Sequence, residues 1–150
     1  MKRQRRFYEV LSVIKAPLTA NRFMLEQGWK NHAEIEGRYP AFKVDRQVFS
    51  SDELEFDVGY HPDLYDPVAK TVYEIKSVGY YHDQERYCLV QLSGYVHFLK
   101  AERGVFLLYN RLPRGPLTVI EEPMRALCPW PELKRIMVDS DRMLQVAPPC

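Results

Sequence analysis

The stretch that most constrains this chain is Thr71-Val72-Tyr73-Glu74-Ile75-Lys76-Ser77-Val78, β-branched and aromatic, with no glycine or proline until Gly79. Such a run predicts a β-strand. Alternate side chains on a strand share a face, so Glu74 and Lys76 point the same way, roughly 7 Å apart at Cβ. Tyr73 and Ile75 point the other way. A carboxylate and an amine on an otherwise apolar strand need a reason, because buried charges are costly unless paired or bound to metal. Just upstream lies His61-Pro62-Asp63-Leu64-Tyr65-Asp66-Pro67. Pro62 has no N–H and interrupts a ladder, and a bulge or bend there aims the Asp63 carboxylate at Glu74. The plainer account of the same residues is an edge strand with a surface Glu/Lys pair and an Asp that shapes a turn.

The rest of the sequence bounds what surrounds this stretch. A chain of 150 residues, 46% hydrophobic and 27% charged, is read as one soluble globular domain, with a core over 1–121 and a C-terminal arm over 122–150 that packs on the core or contacts a partner. The net charge of +1 does not announce nucleic acid, so any basic surface must be local. No apolar run approaches the roughly 18 residues of a membrane span. Cys88, Cys128 and Cys150 form an odd, scattered set, which fits a reducing cytoplasm better than a disulfide framework.

In chain order, Lys2, Arg3, Arg5 and Arg6 make a basic head, a solvated terminus or a phosphate contact, and 7–15 is a short strand or helix closed by Pro17. Thr19 is the expected N-cap of a helix to about Glu36, with Gly37 as its stop. Trp29, His32 and Glu36 recur there at helical spacing, and Gly28 lies four residues before His32. A mid-helix glycine suggests close approach of another backbone or a ligand. Strands are expected at 46–50 and 53–59, joined at Ser51-Asp52 as a hairpin, with Asp57 a rival to Asp63 on the polar face. A loop is expected at 79–82, then a helix capped by Asp83 and running to Arg103, with Gly104 just past its end. On that helix Gln91 and Tyr95 are one turn apart. A buried strand at 104–110, lying parallel to its neighbour after the helical crossover, an edge strand at 117–121 and a helix near 131–138 complete the reading.

Pro62-Asp63 followed by Glu74-Ile75-Lys76 resembles the PD-(D/E)XK nuclease superfamily. Gly28-x-x-x-His32 before it and Gln91-x-x-x-Tyr95 after it make the chain, over about 20–110, similar to the RecB-like branch. That branch holds the nuclease domains of recombination helicases and the CRISPR-associated exonucleases. The resemblance implies an α/β fold, a restriction-endonuclease-like core with a central mixed sheet flanked by helices. It implies a divalent metal, Mg²⁺ or Mn²⁺, on His32, Asp63, Glu74 and the main-chain carbonyl of Ile75. Asp63, Glu74 and Lys76 become the catalytic set, and Gln91 and Tyr95 position the substrate strand or brace the site. An imidazole ligand makes Mn²⁺ more attractive than it is for an all-oxygen site. Two departures stand out. The family's glycine usually lies closer to the first Asp, whereas Gly59 is separated from it by Tyr60-His61-Pro62. Many relatives carry a four-cysteine iron–sulfur cluster, which three cysteines in one chain cannot hold.

The implied function is a metal-dependent DNA nuclease, an exonuclease on single strands or DNA ends. The competing expectations are a Holliday-junction resolvase of the same fold and a non-catalytic nucleic-acid-binding module. The implied partner is DNA, with a second copy of the chain or a recombination or repair protein as a further one. Tyr60, Tyr65, Tyr80, Tyr81 and Tyr87 supply aromatic faces that stack bases or pack with a wet hydroxyl.

Overall fold

The computed structural model describes residues 2–15, 22–111 and 115–146, the side chains of 22–26 aside. Pro17, Thr19 and Cys150 lie outside the described residues. The ladder expected as one central sheet forms two. In the first, β3 (Phe56–Tyr60) lies between β1 (Arg3–Arg6), which runs parallel to it, and β2 (Gln47–Phe49), which runs antiparallel. In the second, the order is β4 (Leu64–Asp66), β5 (Thr71–Ser77), β6 (Arg103–Arg111) and β7 (Leu117–Pro123). The break falls between Tyr60 and Leu64, where Pro62 can give no ladder hydrogen bond. β5 and β6 are parallel, and β4 and β7 are antiparallel edges.

The basic head is not a loose terminus. It is strand β1, in register from Arg3 opposite Phe56 to Arg6 opposite Gly59. Composition hid it, because four charged or polar residues on an edge strand read like solvated chain. Phe7 then enters the core beside Gly94, where an added Cβ would stand 2.2 Å from the Phe7 ring. That close approach is why a glycine serves in the middle of a helix there. A 3₁₀ helix, Glu9–Ile14, buries Val10 and Leu11.

Between β5 and β6 the chain makes two helices, α2 (Val78–Asp83) and α3 (Glu85–Leu99), in place of a loop and one long helix. Ser77 caps α2 by accepting from the Tyr80 N–H at 3.2 Å, and Tyr81 packs on Phe106 at 4.9 Å between ring centroids. α3 stops at Leu99 because Lys100 turns left-handed, φ 53°, and its N–H returns to the helix carbonyls. Gly104 is therefore not a helix stop. It lies on β6, where a Cβ would come within 2.8 Å of Leu92 of α3.

α1 (Arg22–Glu36) covers one face of the second sheet, with Ile35 packed on Leu64, Ile75, Leu107 and Leu117. α3 covers the other face, with Cys88, Leu92, Tyr95 and Val96 in the larger core that holds Val72 and Phe106. The last helix, α4 (Trp130–Val146), runs well past the expected end near 138. The polar run Asp139-Ser140-Asp141 hid its continuation, but Ser140 and Asp141 are buried: Asp141 receives Arg3 at 2.7 Å and Arg5 at 2.8 Å. Leu133, Ile136 and Met137 bury the rest of its inner face. Among the described residues no helix is long and apolar enough to cross a membrane.

Candidate metal centre

The site forms where β4 begins beside β5. The antiparallel register sets Leu64 opposite Tyr73, so one step back along β4 would set Asp63 opposite Glu74 and two would set Pro62 opposite Ile75. Pro62 cannot donate there, and the Ile75 N–H gives its hydrogen bond to Asp63 Oδ2 instead, at 2.8 Å. A strand residue's N–H and C=O leave on the same edge. The Ile75 carbonyl therefore points toward Asp63 as well, with no N–H from Pro62 to receive.

Asp63 joins the two faces of the sheet. Its Oδ1 lies 2.8 Å from His32 Nε2 on α1, and its main-chain N–H donates to Glu74 Oε1 at 3.0 Å. His32 Nε2 also meets Glu36 Oε1 at 3.0 Å. His32, Glu36 and Asp63 each offer a ligand atom, and the three atoms lie within 4.8 Å of one another. The spacings suit a hard divalent cation: two neighbouring ligands of an octahedron at about 2.1 Å from the ion stand about 3 Å apart. One imidazole nitrogen with carboxylate oxygens is a donor set for such an ion. The residues fit the group the resemblance implies.

Glu74 and Lys76 share the α3-facing side of β5, as period-2 alternation requires, and lie 3.7 Å apart from carboxylate to ammonium. Glu74 is only 3% exposed. Burial pushes its carboxyl well above the ordinary range, and the neighbouring Asp63 adds to this. Burial alone would lower the Lys76 ammonium, but the Glu74 carboxylate, with smaller help that includes Asp63, outweighs it and raises its pKa, so it stays charged. The Tyr80 ring lies 5.3 Å from that ammonium. Burial likewise works to lower the His32 pKa, and the hydrogen bonds and charges of Asp63 and Glu36 reverse this and raise it above 6.5. The Cys88 thiol beside Lys76 is pushed up to about 11 by burial and is a neutral, inert packing group.

The sequence reading placed His32, Asp63, Glu74, Ile75 and Lys76 together, and the structure sets them along one sheet end. It sets Glu36, rather than Glu74, in the three-residue cluster with His32 and Asp63. Sequence reasoning missed Glu36 as a candidate ligand, although its signal was present: His32 and Glu36 are four apart on a helix and so stacked on one face. Asp57, the rival acid, is engaged elsewhere with Ser50 at 2.6 Å. What approaches Gly28 among the described residues is a side chain rather than another backbone: a Cβ there would lie 3.6 Å from the Tyr109 hydroxyl. Gln91 and Tyr95 are neighbours, amide to hydroxyl 3.5 Å, and the Gln91 Oε1 has no partner among the described residues. Tyr95 is buried close enough to Glu74 and Asp63 that, after burial itself, their charges help hold its hydroxyl well above its ordinary pKa. Tyr60, Tyr81 and Tyr87 are buried packing groups rather than open faces.

No family model and no curated protein matches this sequence. Solved structures do. The crystal structure of SSO0001 superposes with a TM-score of 0.64 over 100% of this chain and 80% of that one, at 16% identity. The fold is a restriction-endonuclease-like core. At this identity the likeness is one of architecture: two mixed sheets flanked by helices. A looser likeness, TM-score 0.47 at 11% identity, covers 90% of this chain and 82% of a phage related exonuclease from Haemophilus somnus 129PT.

Proposed function

We propose that this chain is a divalent-metal-dependent nuclease that hydrolyses phosphodiester bonds in DNA, acting as an exonuclease on single strands or ends. The observation that carries the reading is the meeting of His32, Glu36 and Asp63 beside a buried Glu74–Lys76 pair, drawn from one helix, one strand and the bend that precedes β4. A fold needs no such cluster for stability, because buried charge is a poor stabiliser compared with apolar packing. A hard cation held here supplies Lewis-acid charge at the phosphate and a more acidic water. Mn²⁺ suits the imidazole nitrogen, and Mg²⁺ the carboxylates.

The chain's own groups have separable tasks in this reading. Asp63 is oriented by the Ile75 N–H, which leaves Oδ1 directed at His32. Lys76 stays cationic at the scissile phosphate, where a fixed positive charge stabilises the anionic transition state. Glu74 holds the Asp63 main chain in place through Oε1, while Oε2 faces the Lys76 ammonium. The test is cleavage of end-labelled DNA with Mn²⁺ or Mg²⁺ by the wild type, Glu74→Ala and Lys76→Ala. Each variant is expected to lose at least a hundredfold in rate, in line with loss of one electrostatic contact at a reacting centre. Equal cleavage by all three rejects the assigned roles.

A further inference from the structure

We propose that the cleft between β1, β2 and α3 takes one unpaired nucleic-acid strand, with its phosphates on Arg6 and Arg46 and a base against Tyr8. The cleft has a volume of about 460 Å³ and includes Arg5, Arg6, Tyr8, Arg46, Gln91 and Tyr95 in its wall. That size suits a ligand of about one nucleotide rather than a base-paired stack.

Its charge is uneven in a useful way. Arg5 is committed to Asp141 at 2.8 Å. Arg6 and Arg46 are exposed and have no acidic partner among the described residues. Glu9 is the acid in the wall, and its carboxylate is occupied by the Arg6 main-chain N–H at 2.9 Å. Two guanidinium groups on one rim, neither with an acidic partner among the described residues, are the chemistry that holds successive phosphates. Tyr8 is 51% exposed at the same rim, although its neighbour Phe7 is buried. An open aromatic face beside cations is what sequence-independent strand binding uses. Tyr95, in the wall of the cleft beside Gln91, is near enough to Glu74 and Asp63 to feel their charges, so a strand held there runs toward the candidate metal centre. A second groove, on α4, differs: Lys134 pairs with Glu53 at 3.4 Å and Arg135 with Asp139 at 3.9 Å, which leaves Arg142 as its one cation without an acidic partner among the described residues.

Only the strand's direction of travel rests on the nuclease reading; binding does not. The test is anisotropy of labelled oligo-dT on the full chain with chelator present, so that no cleavage occurs. Arg6→Ala/Arg46→Ala is expected to weaken binding at least tenfold, and to reduce the slope of log K against log salt by about 1.4, at ~0.7 per phosphate contact. Tyr8→Ala is expected to weaken it about fivefold or more, the loss of one stacked base, and an abasic strand should not feel that change. Lys134→Ala/Arg135→Ala should bind as the wild type does. The proposal is overturned if the double arginine variant keeps wild-type affinity and slope. It is also overturned if a duplex, or an acidic peptide, binds as tightly as oligo-dT and responds equally to the arginine variant. Cleavage assays separate the two readings. No cleavage with metal, but arginine-dependent binding, removes the nuclease and leaves the cleft. Unchanged cleavage of dilute DNA by the arginine variant removes the cleft and leaves the nuclease.

Discussion

Replacing Lys76 with methionine isolates the buried charge pair. The ammonium lies 3.7 Å from the Glu74 carboxylate, and the two side chains are 15% and 4% exposed, so solvent screens them little. At an effective dielectric constant of about 20, unit charges at that separation attract by about 4 kcal/mol. Removing one partner of a buried pair commonly costs about 3–5 kcal/mol, because the other charge is left uncompensated. For a domain of this size, Lys76→Met should lower Tm by roughly 10 °C or more. The loss should depend on pH, and the sign follows from Glu74. Its folded pKa is raised above 4.5, so its contribution is full below that value and is lost as pH rises through the folded pKa. Without Lys76 the folded pKa rises further. The variant should therefore resemble the wild type in acid and fall progressively behind it toward alkaline pH. Urea unfolding followed by circular dichroism, in chelator, at acid, neutral and alkaline pH measures this. Glu74→Gln/Lys76→Met, which removes both charges and keeps their shapes, should recover most of the loss. A loss independent of pH, or a double variant as unstable as the single one, refutes the argument that an ionised Glu74 is what Lys76 compensates.

Mn²⁺ at about a hundred times its Kd should stabilise the fold by about 2.7 kcal/mol, and should quench the emission of Trp29, which is 67% exposed one turn before His32. His32→Ala and Glu36→Ala should each reduce both effects. Because His32 must lose its Nε2 proton to bind metal and its pKa is raised above 6.5, the metal-dependent gain should shrink as pH falls through that range, while the chelated protein gains stability there. Parallel melting curves with and without metal at every pH would sink that assignment. Gly94→Ala should destabilise by about 1–3 kcal/mol, despite alanine's better helix propensity, because its Cβ would overlap the Phe7 ring. Adding Phe7→Leu should relieve part of the loss, as thermal melts would show.

The placement of Glu74 and Lys76 was legible in the sequence because strand periodicity is local: two residues two apart must share a face whatever the rest of the chain does. Pro62 was legible for the same reason, since a missing N–H needs no tertiary context to end a ladder. The alternation of 56–60 and the parallel β5–β6 crossover were also readable from pattern and connection length. Other elements were not. Arg3–Arg6 became a strand only because β3 offered it an edge. Val78–Asp83 became a helix because Ser77 capped it and Tyr81 found Phe106. The last turns of α4 held together because Asp141 met two arginines more than 130 positions away.

The sequence by itself supplied the candidate groups: an imidazole, carboxylates and one lysine at set positions. Only the tertiary structure decided which of them meet. Glu36 joins His32 and Asp63 because α1 packs across the end of β4, and Glu74 turns instead to Lys76 and the Asp63 main chain. Residue type and period are properties of short stretches, but the distance between an oxygen on one helix and another at a strand end depends on how the whole core packs.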